Sequence, residues 1–328
     1  MLKWFLDPNG EKLLVDEVLE KGLLNEHFPE SYLTMCAKER EWTGKPSTTQ
    51  LINGSRYEYL RLLTPYAIDP SECAFMIIGT RAHSKLELLA PVGSVAELQI
   101  PNDEISGIAD LLETYKNGLN VLTDYKTWGS YKVALALGLK KQKRPAKDEN
   151  GVPILYQRSG PGYTKGDPKM EDFYVKDPDA VDMYEIELQL NRYRLGIEAY
   201  YGITIDRLRA FIMVRDGGTV TATSRGIDKN TYFIEVKMLE NDYVMNYFNR
   251  KRKALLDCMN GFAADMQEKY ININSYADMQ ATEADYDILR NNCPPVCDKR
   301  ESWNSRRCNG YCPVADVCRI LGNTYLKG

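Results

Sequence analysis

The sequence predicts an α/β fold in which helices flank a mixed central sheet, preceded by a helical N-terminal section and followed by a cysteine-rich tail. Two observations carry this expectation. Helix-spaced apolar segments bracket a run of short strand-like segments separated by turn formers. In addition, 328 residues of 44% hydrophobic composition suffice for one large core with an appendage. The expected sections are a helical part at 1–72, a core at 73–240 with an insertion at about 131–176, and a helix with a tail at 241–328.

In chain order, residues 11–42 mix Leu with Glu and Lys at helical spacing, and Ser47-Thr48-Thr49 marks the N-cap of a helix running towards Leu62. A further helical segment spans Cys73 to Leu89. Residues 95–100, 105–112 and 121–125 then read as strands of an antiparallel meander. Beyond Tyr131, Lys-Lys-Gln-Lys-Arg-Pro, Asp-Glu-Asn-Gly and a Gly/Pro-rich stretch replace the periodicity, marking an insertion of loop and hairpin character. Periodicity returns as a helix at 181–201, strands at 208–215 and 232–236, and a long helix from Asp242 to Gln267.

The formal charge of −4 excludes nucleic-acid binding by bulk electrostatics, so any such contact must use local basic patches. The most basic short stretch is Lys140-Lys141-Gln142-Lys143-Arg144 with Lys147, either a solvated face or a grip on phosphates. The opening apolar stretch is too short for a signal peptide, and charges interrupt every later apolar run before membrane length. A cytoplasmic protein, in a prokaryotic cell or a phage-infected host, is the expectation. Tyr57, Tyr59, Arg61 and Tyr66 form an aromatic group suited either to stacking on unpaired bases or to a helical core.

On a strand, Asp124 and Lys126 of Asp124-Tyr125-Lys126 project from one face and Tyr125 from the other. The turn former Lys116-Asn117-Gly118 allows a hairpin that brings Asp110 beside Asp124. Two adjacent carboxylates favour a hard divalent cation such as Mg²⁺ or Mn²⁺. With a neighbouring ammonium, such a group suits hydrolysis of a phosphodiester. A surface hairpin with an Asp–Lys ion pair would give the same triplet. Gln189 and Tyr193 lie one helical turn apart and share a face, which suits a joint contact or simple packing.

Five of the eight cysteines fall between residues 293 and 318, a spacing that points to metal or cluster ligation rather than to disulfides. Closely spaced thiolates on short loops suit a soft metal or an iron–sulfur cluster. Cys293, Cys297, Cys308 and Cys312 would form two knuckles around Zn²⁺. Cys73 and Cys258 read as ordinary buried cysteines.

The order Gly79-xxx-His83, Gly107-xx-Asp110, Asp124-x-Lys126 and Gln189-xxx-Tyr193 resembles the RecB-like branch of the PD-(D/E)XK nucleases, which includes CRISPR-associated exonucleases and the nuclease domains of AddAB-type complexes. The resemblance covers most of residues 47–216. It implies a restriction-endonuclease-like core in which His83, Asp110, Asp124 and the Tyr125 carbonyl bind Mg²⁺ or Mn²⁺. Lys126 is then catalytic, together with Asp110 and Asp124, and Gln189 and Tyr193 support the site or the DNA. It further implies a [4Fe–4S] cluster whose last three ligands correspond to Cys308, Cys312 and Cys318. Relatives often take the fourth ligand from before the core, but Ser55-Arg56-Tyr57 has no cysteine and Cys36 lies too far upstream. Cys297 is the expected substitute, with Cys293 as the alternative ligand.

The function expected on this resemblance is a deoxyribonuclease, an exonuclease acting on single-stranded DNA ends in recombination, repair or CRISPR or phage DNA processing. Its partners would be DNA and recombination or CRISPR-adaptation proteins, with no membrane. A catalytically weak DNA-end-binding scaffold and a zinc-ribbon RNA-processing protein are the alternatives.

Overall fold

Residues 120–128 and 207–214 form the two central strands of the main sheet, and burial alternates along 207–214, so that one face is packed and the other only partly covered. The computed structural model describes residues 1–40, 42–101, 104–271, 279–294, 297, 308 and 310–322. Parts of the C-terminal section, 272–278 and most of 295–309, therefore lie outside the described residues.

The main sheet has five strands: β4 (Ser94–Gln99), β5 (Ile108–Thr114), β6 (Asn120–Trp128), β9 (Arg207–Val214) and β10 (Thr231–Val236). Their order is β10-β9-β6-β5-β4. β4, β5 and β6 form the expected antiparallel meander, and β6 pairs with β9 in parallel, so the sheet is mixed. A parallel neighbour needs a long crossover. Here the connection includes α6 (Ser130–Ala136), the hairpin of β7 (Leu139–Pro145) and β8 (Met170–Lys176), and α7 (Tyr184–Tyr201). The short α8 (Val220–Ser224) joins β9 to β10. Ile186, Leu190, Tyr193 and Ile197 of α7 pack with Leu112, Leu122, Leu208 and Ile212 of the sheet in one core.

The N-terminal section is not purely helical. β1 (Leu2–Leu6), β2 (Lys12–Leu14) and β3 (Tyr66–Ile68) form a separate sheet in the order β2-β1-β3. The helical spacing of 11–42 resolves into α1 (Val15–Lys21), ended by Gly22 in a left-handed conformation at φ 67°, and α2 (Glu30–Cys36), which starts after Pro29. Ser47 caps α3 (Thr48–Ile52) in a capping box with Gln50. The helix does not run unbroken to Leu62: Asn53 and Gly54 are extended, and a second helix, α4 (Ser55–Leu63), follows. α5 (Ala74–Leu88) occupies the predicted position.

α4 and the long α9 (Asn241–Lys269) share a second core with the tail, in which Tyr59, Leu60 and Leu63 meet Phe248, Met259, Phe262, Leu289, Cys318 and Leu321. Tyr59 and Tyr66 are both buried, and the Tyr59 hydroxyl donates to the Leu289 carbonyl at 3.2 Å. These two tyrosines belong to the core and are not available to stack on bases. Among the described residues no helix is long and apolar enough to cross a membrane.

Candidate active site

β6 presents Asp124 almost fully buried, while Lys126 reaches it along the same strand face with Nζ 2.5 Å from Oδ2. The Leu111↔Thr123 pairing of β5 with β6 continues to place Asp110 opposite Asp124. The Tyr125 backbone N–H donates to Asp110 Oδ2 at 2.7 Å. His83, on α5, stands with Nδ1 3.5 Å from the same Asp110 oxygen, and its ring meets the Tyr125 ring edge-on with centroids 6.0 Å apart. Gly79, one turn earlier, faces Thr127: a Cβ there would stand 3.0 Å from the Thr127 hydroxyl, so this glycine lets α5 approach β6. The predicted residues His83, Asp110, Asp124, Tyr125 and Lys126 are thus brought together from three elements.

Gln189 and Tyr193 complete one wall. Gln189 Nε2 donates to Asp124 Oδ1 and to the Tyr193 hydroxyl, both at 3.2 Å. Gly107 is where the wall meets the strand: a Cβ there would come within 2.7 Å of the Tyr193 ring. Both features of this helix face are present: Gln189 and Tyr193 contact each other, and Tyr193 is also packed in the main core.

The electrostatics follow from burial. Asp110 is pushed up to about 7, first by desolvation and then by repulsion from Asp124. Burial lowers His83, and the nearby Lys126 charge adds to this. Oδ2 of Asp124 accepts no hydrogen bond among the described residues, although Lys126 approaches it as an ion pair. Two largely buried carboxylates, a neutral imidazole and a backbone carbonyl are oxygen-rich donors with excess negative charge, a set that fits a hard divalent cation. Among the described residues, no group of three or more His, Cys, Asp and Glu side chains stands in metal-holding arrangement, with Lys126 drawn onto Asp124.

Two further carboxylates lie in the groove of about 400 Å³ lined by Gly79, Thr80, His83, Ser84, Glu87, Glu97 and Asp110. Glu97 adopts a left-handed φ of 48° in β4, and burial and the neighbouring Glu87 raise its carboxyl. Glu97 lies in no short motif and had no sequence signal, whereas Glu87 stands one helical turn after His83, a spacing that could have found it.

The tail packs against the N-terminal end of α4. Cys308 and Cys318 are buried, and Cys293, Cys297 and Cys312 are partly exposed. A Cβ on Gly54 would come within 2.3 Å of the Cys297 sulfur. Arg56, also buried, donates through Nε to the Cys318 sulfur at 3.1 Å and through a terminal nitrogen to the Pro294 carbonyl at 3.0 Å. Burial pushes the Cys293 thiol up to about 12, and the Arg56 charge opposes this. Cys36 and Cys73 pack together in the separate N-terminal core. Cys258 is only partly buried and lies close enough to Cys293 and Tyr59 to influence both. Sequence spacing alone marks it as an ordinary core residue.

No protein-family model matches the chain, and no curated protein matches it. A solved structure described as the crystal structure of SSO0001 is similar at 14% identity over 71% of this chain and 86% of that chain, with a TM-score of 0.33.

Proposed function

We propose that this chain is a metal-dependent deoxyribonuclease with a PD-(D/E)XK active centre, acting as an exonuclease on single-stranded DNA ends. The observation that carries the reading is the meeting of His83, Asp110, Asp124 and Lys126 at the Tyr125 backbone, in the sequence order that the resemblance requires.

His83, Asp110, Asp124 and the Tyr125 carbonyl would hold Mg²⁺ or Mn²⁺, which when bound neutralises phosphate charge and makes water more acidic. The chain's own residues supply the rest. Gln189 holds the Asp124 carboxylate through Oδ1, leaving Oδ2 directed towards Lys126. Lys126 orients water beside the scissile phosphate and stabilises charge that develops on it. The Tyr125 N–H fixes the Asp110 carboxylate by a hydrogen bond from the strand itself. The cysteine site has a structural role in this reading: Cys297, Cys308, Cys312 and Cys318, with Cys293 as the alternative ligand, would hold a [4Fe–4S] cluster, Zn²⁺ being the competing occupant.

The test is Mn²⁺-dependent digestion of single- and double-stranded DNA by protein purified without oxygen, comparing wild type with Asp124→Ala and Lys126→Ala. Loss of at least about a hundredfold in both variants is expected; equal degradation by all three proteins refutes the assignment. Iron, sulfide and zinc analysis of the same preparations distinguishes the occupants of the cysteine site.

A further inference from the structure

The insertion predicted at about 131–176 contains a structure with no role in the active centre. β7 and β8 pair only with each other, in antiparallel register from Leu139↔Lys176 to Pro145↔Met170. The ladder spans roughly 23 Å at about 3.3 Å per residue. Beyond it the chain stays ordered through the bridges Lys147↔Pro153, Leu155↔Pro168 and Gly160↔Tyr163. Tyr156 and Tyr163 stack there with ring centroids 3.9 Å apart, and Lys169 lies over Tyr156 at 5.8 Å. All β7 residues after Leu139 are exposed. A hairpin that buries so little has no packing reason to be this long.

Its charge is the second observation. Residues 139–176 hold nine Lys and Arg against five Asp and Glu, a formal charge of +4 in a chain of −4. Four of the five acidic side chains are engaged within the hairpin. Asp172 pairs with Lys141 at 2.5 Å and Glu171 with Arg144 at 2.7 Å, while Asp148 and Asp167 accept N–H groups of their own turns. Lys143, Lys147, Arg158 and Lys165 make no ion pair among the described residues and point their charge to solvent. The base of the hairpin is tied to the catalytic strand: α6 follows β6 directly, and Arg225, whose charge is felt by Lys141, donates to the Ser130 hydroxyl at 2.8 Å.

We propose that the 139–176 hairpin is an arm that holds the sugar–phosphate backbone of single-stranded DNA outside the active centre, through Lys143, Lys147, Arg158 and Lys165. Solvated cations spaced from Lys143 on the ladder through Lys147 to Arg158 and Lys165 in the loops beyond it, with an aromatic stack at the far end, match a linear polyanion that carries exposed bases. The arm supplies locally the positive field that the acidic chain lacks as a whole. The inference rests on the deoxyribonuclease reading.

The experiment uses the full chain with Lys143→Glu, Lys147→Glu, Arg158→Glu and Lys165→Glu combined, and fluorescein-labelled oligo-dT of about 20 nucleotides, longer than a single-strand site needs. Anisotropy titrations in Ca²⁺ buffer over a series of salt concentrations give affinity and its salt slope, and Mn²⁺ digestion is followed in parallel. Affinity is expected to fall at least about tenfold, and the slope to become shallower by about 0.7 for each phosphate no longer neutralised by a cation of the arm. Unchanged affinity and slope in the variant, with a wild type that binds and cleaves, overturn the arm alone. A wild type that neither binds nor cleaves overturns the nuclease reading and the arm together. Because the four side chains make no ion pair among the described residues, the thermal midpoint is expected to stay within a few degrees of wild type. Replacing the same four residues with Gln provides a milder series with the same expected direction.

Discussion

Arg56 donates from Nε to the sulfur of Cys318 at 3.1 Å, across 262 residues of sequence. The guanidinium is buried, and other donors reach the Pro294 and Cys318 carbonyls. A planar fork with several fixed donors suits this task better than an ammonium, because it can bond one sulfur and two carbonyls at once. Arg56 thus adds a polar tie between helix α4 and the cysteine tail to the apolar core and the Tyr59–Leu289 hydrogen bond that already join them.

Arg56→Met is accordingly expected to lower the unfolding free energy by about 2–3 kcal/mol, the scale of a lost charge-assisted hydrogen bond with its orphaned acceptors. Chemical denaturation measures this, and metal analysis of the purified variant should show reduced occupancy of the cysteine site. An unchanged denaturation midpoint together with full occupancy would contradict the assigned role.

Gly54→Ala places a methyl group 2.2 Å from the Cys297 carbonyl oxygen and 2.3 Å from its sulfur, so the tail must move. Overpacking of this kind costs about 1–3 kcal/mol. The expected result is a lower thermal midpoint with faster alkylation of Cys297, read by mass spectrometry; alkylation at the wild-type rate would argue against the close approach.

Gln189→Ala removes the hydrogen bond to Asp124 Oδ1 while leaving the Lys126 ion pair on the other oxygen. Loss of one bond to a carboxylate in the centre corresponds to a decrease of roughly 10–100-fold in kcat. Tyr193→Phe removes only the hydrogen bond from Gln189 to the hydroxyl and leaves the one to Asp124, so it should cost less. Single-turnover kinetics on labelled DNA separates the two.

Asp110 gives the pH dependence. Its carboxyl is raised to about 7 in the fold from an ordinary value of 3.8, so the metal-free folded state binds the proton more tightly than the unfolded chain does. Its contribution to stability is fully present below about pH 3.8 and is lost as pH rises towards 7. Cation binding runs the opposite way, because the ligand must be deprotonated. Mn²⁺ affinity is expected to rise by up to about tenfold per pH unit below about 7 and to level off above it, as measured by calorimetry. A flat profile between about pH 5 and 8 would count against Asp110 as a ligand.

The central part of the chain was legible because its chemistry is local. Asp124 and Lys126 declare their shared face by a spacing of two, and Lys116-Asn117-Gly118 declares the turn that returns Asp110 beside them. The Ser47 cap was equally visible, since a capping box needs only four residues. In the N-terminal sheet only the β1–β3 pairing, some sixty positions apart, was out of reach of a short window; the β1–β2 hairpin across Asp7-Pro8-Asn9-Gly10 is local and was overlooked. Glu97 was missed because only the fold brings β4 to the groove, whereas Glu87, one helical turn after His83 on α5, could have been found by that spacing. Cys258 sits on a regular helix, where nothing in its neighbours announces the cysteines of the tail. Arg56 stands out in the sequence only as a position lacking a cysteine, whereas the structure fills it with the donor that bonds one.

The meeting of α4 with the tail also sets a clock on biosynthesis. At about 5–20 residues per second, the interval between emergence of Arg56 and of Cys318 is roughly 13–52 s, during which α4 has no tail to pack against. The apolar face of Tyr59, Leu60 and Leu63 is covered in two stages, first by Phe248, Met259 and Phe262 of α9 and only later by Leu289, Cys318 and Leu321 of the tail. The price of that arrangement is a period of dependence on holding chaperones, and a ribosome stalled before the tail releases a product whose second core is unfinished.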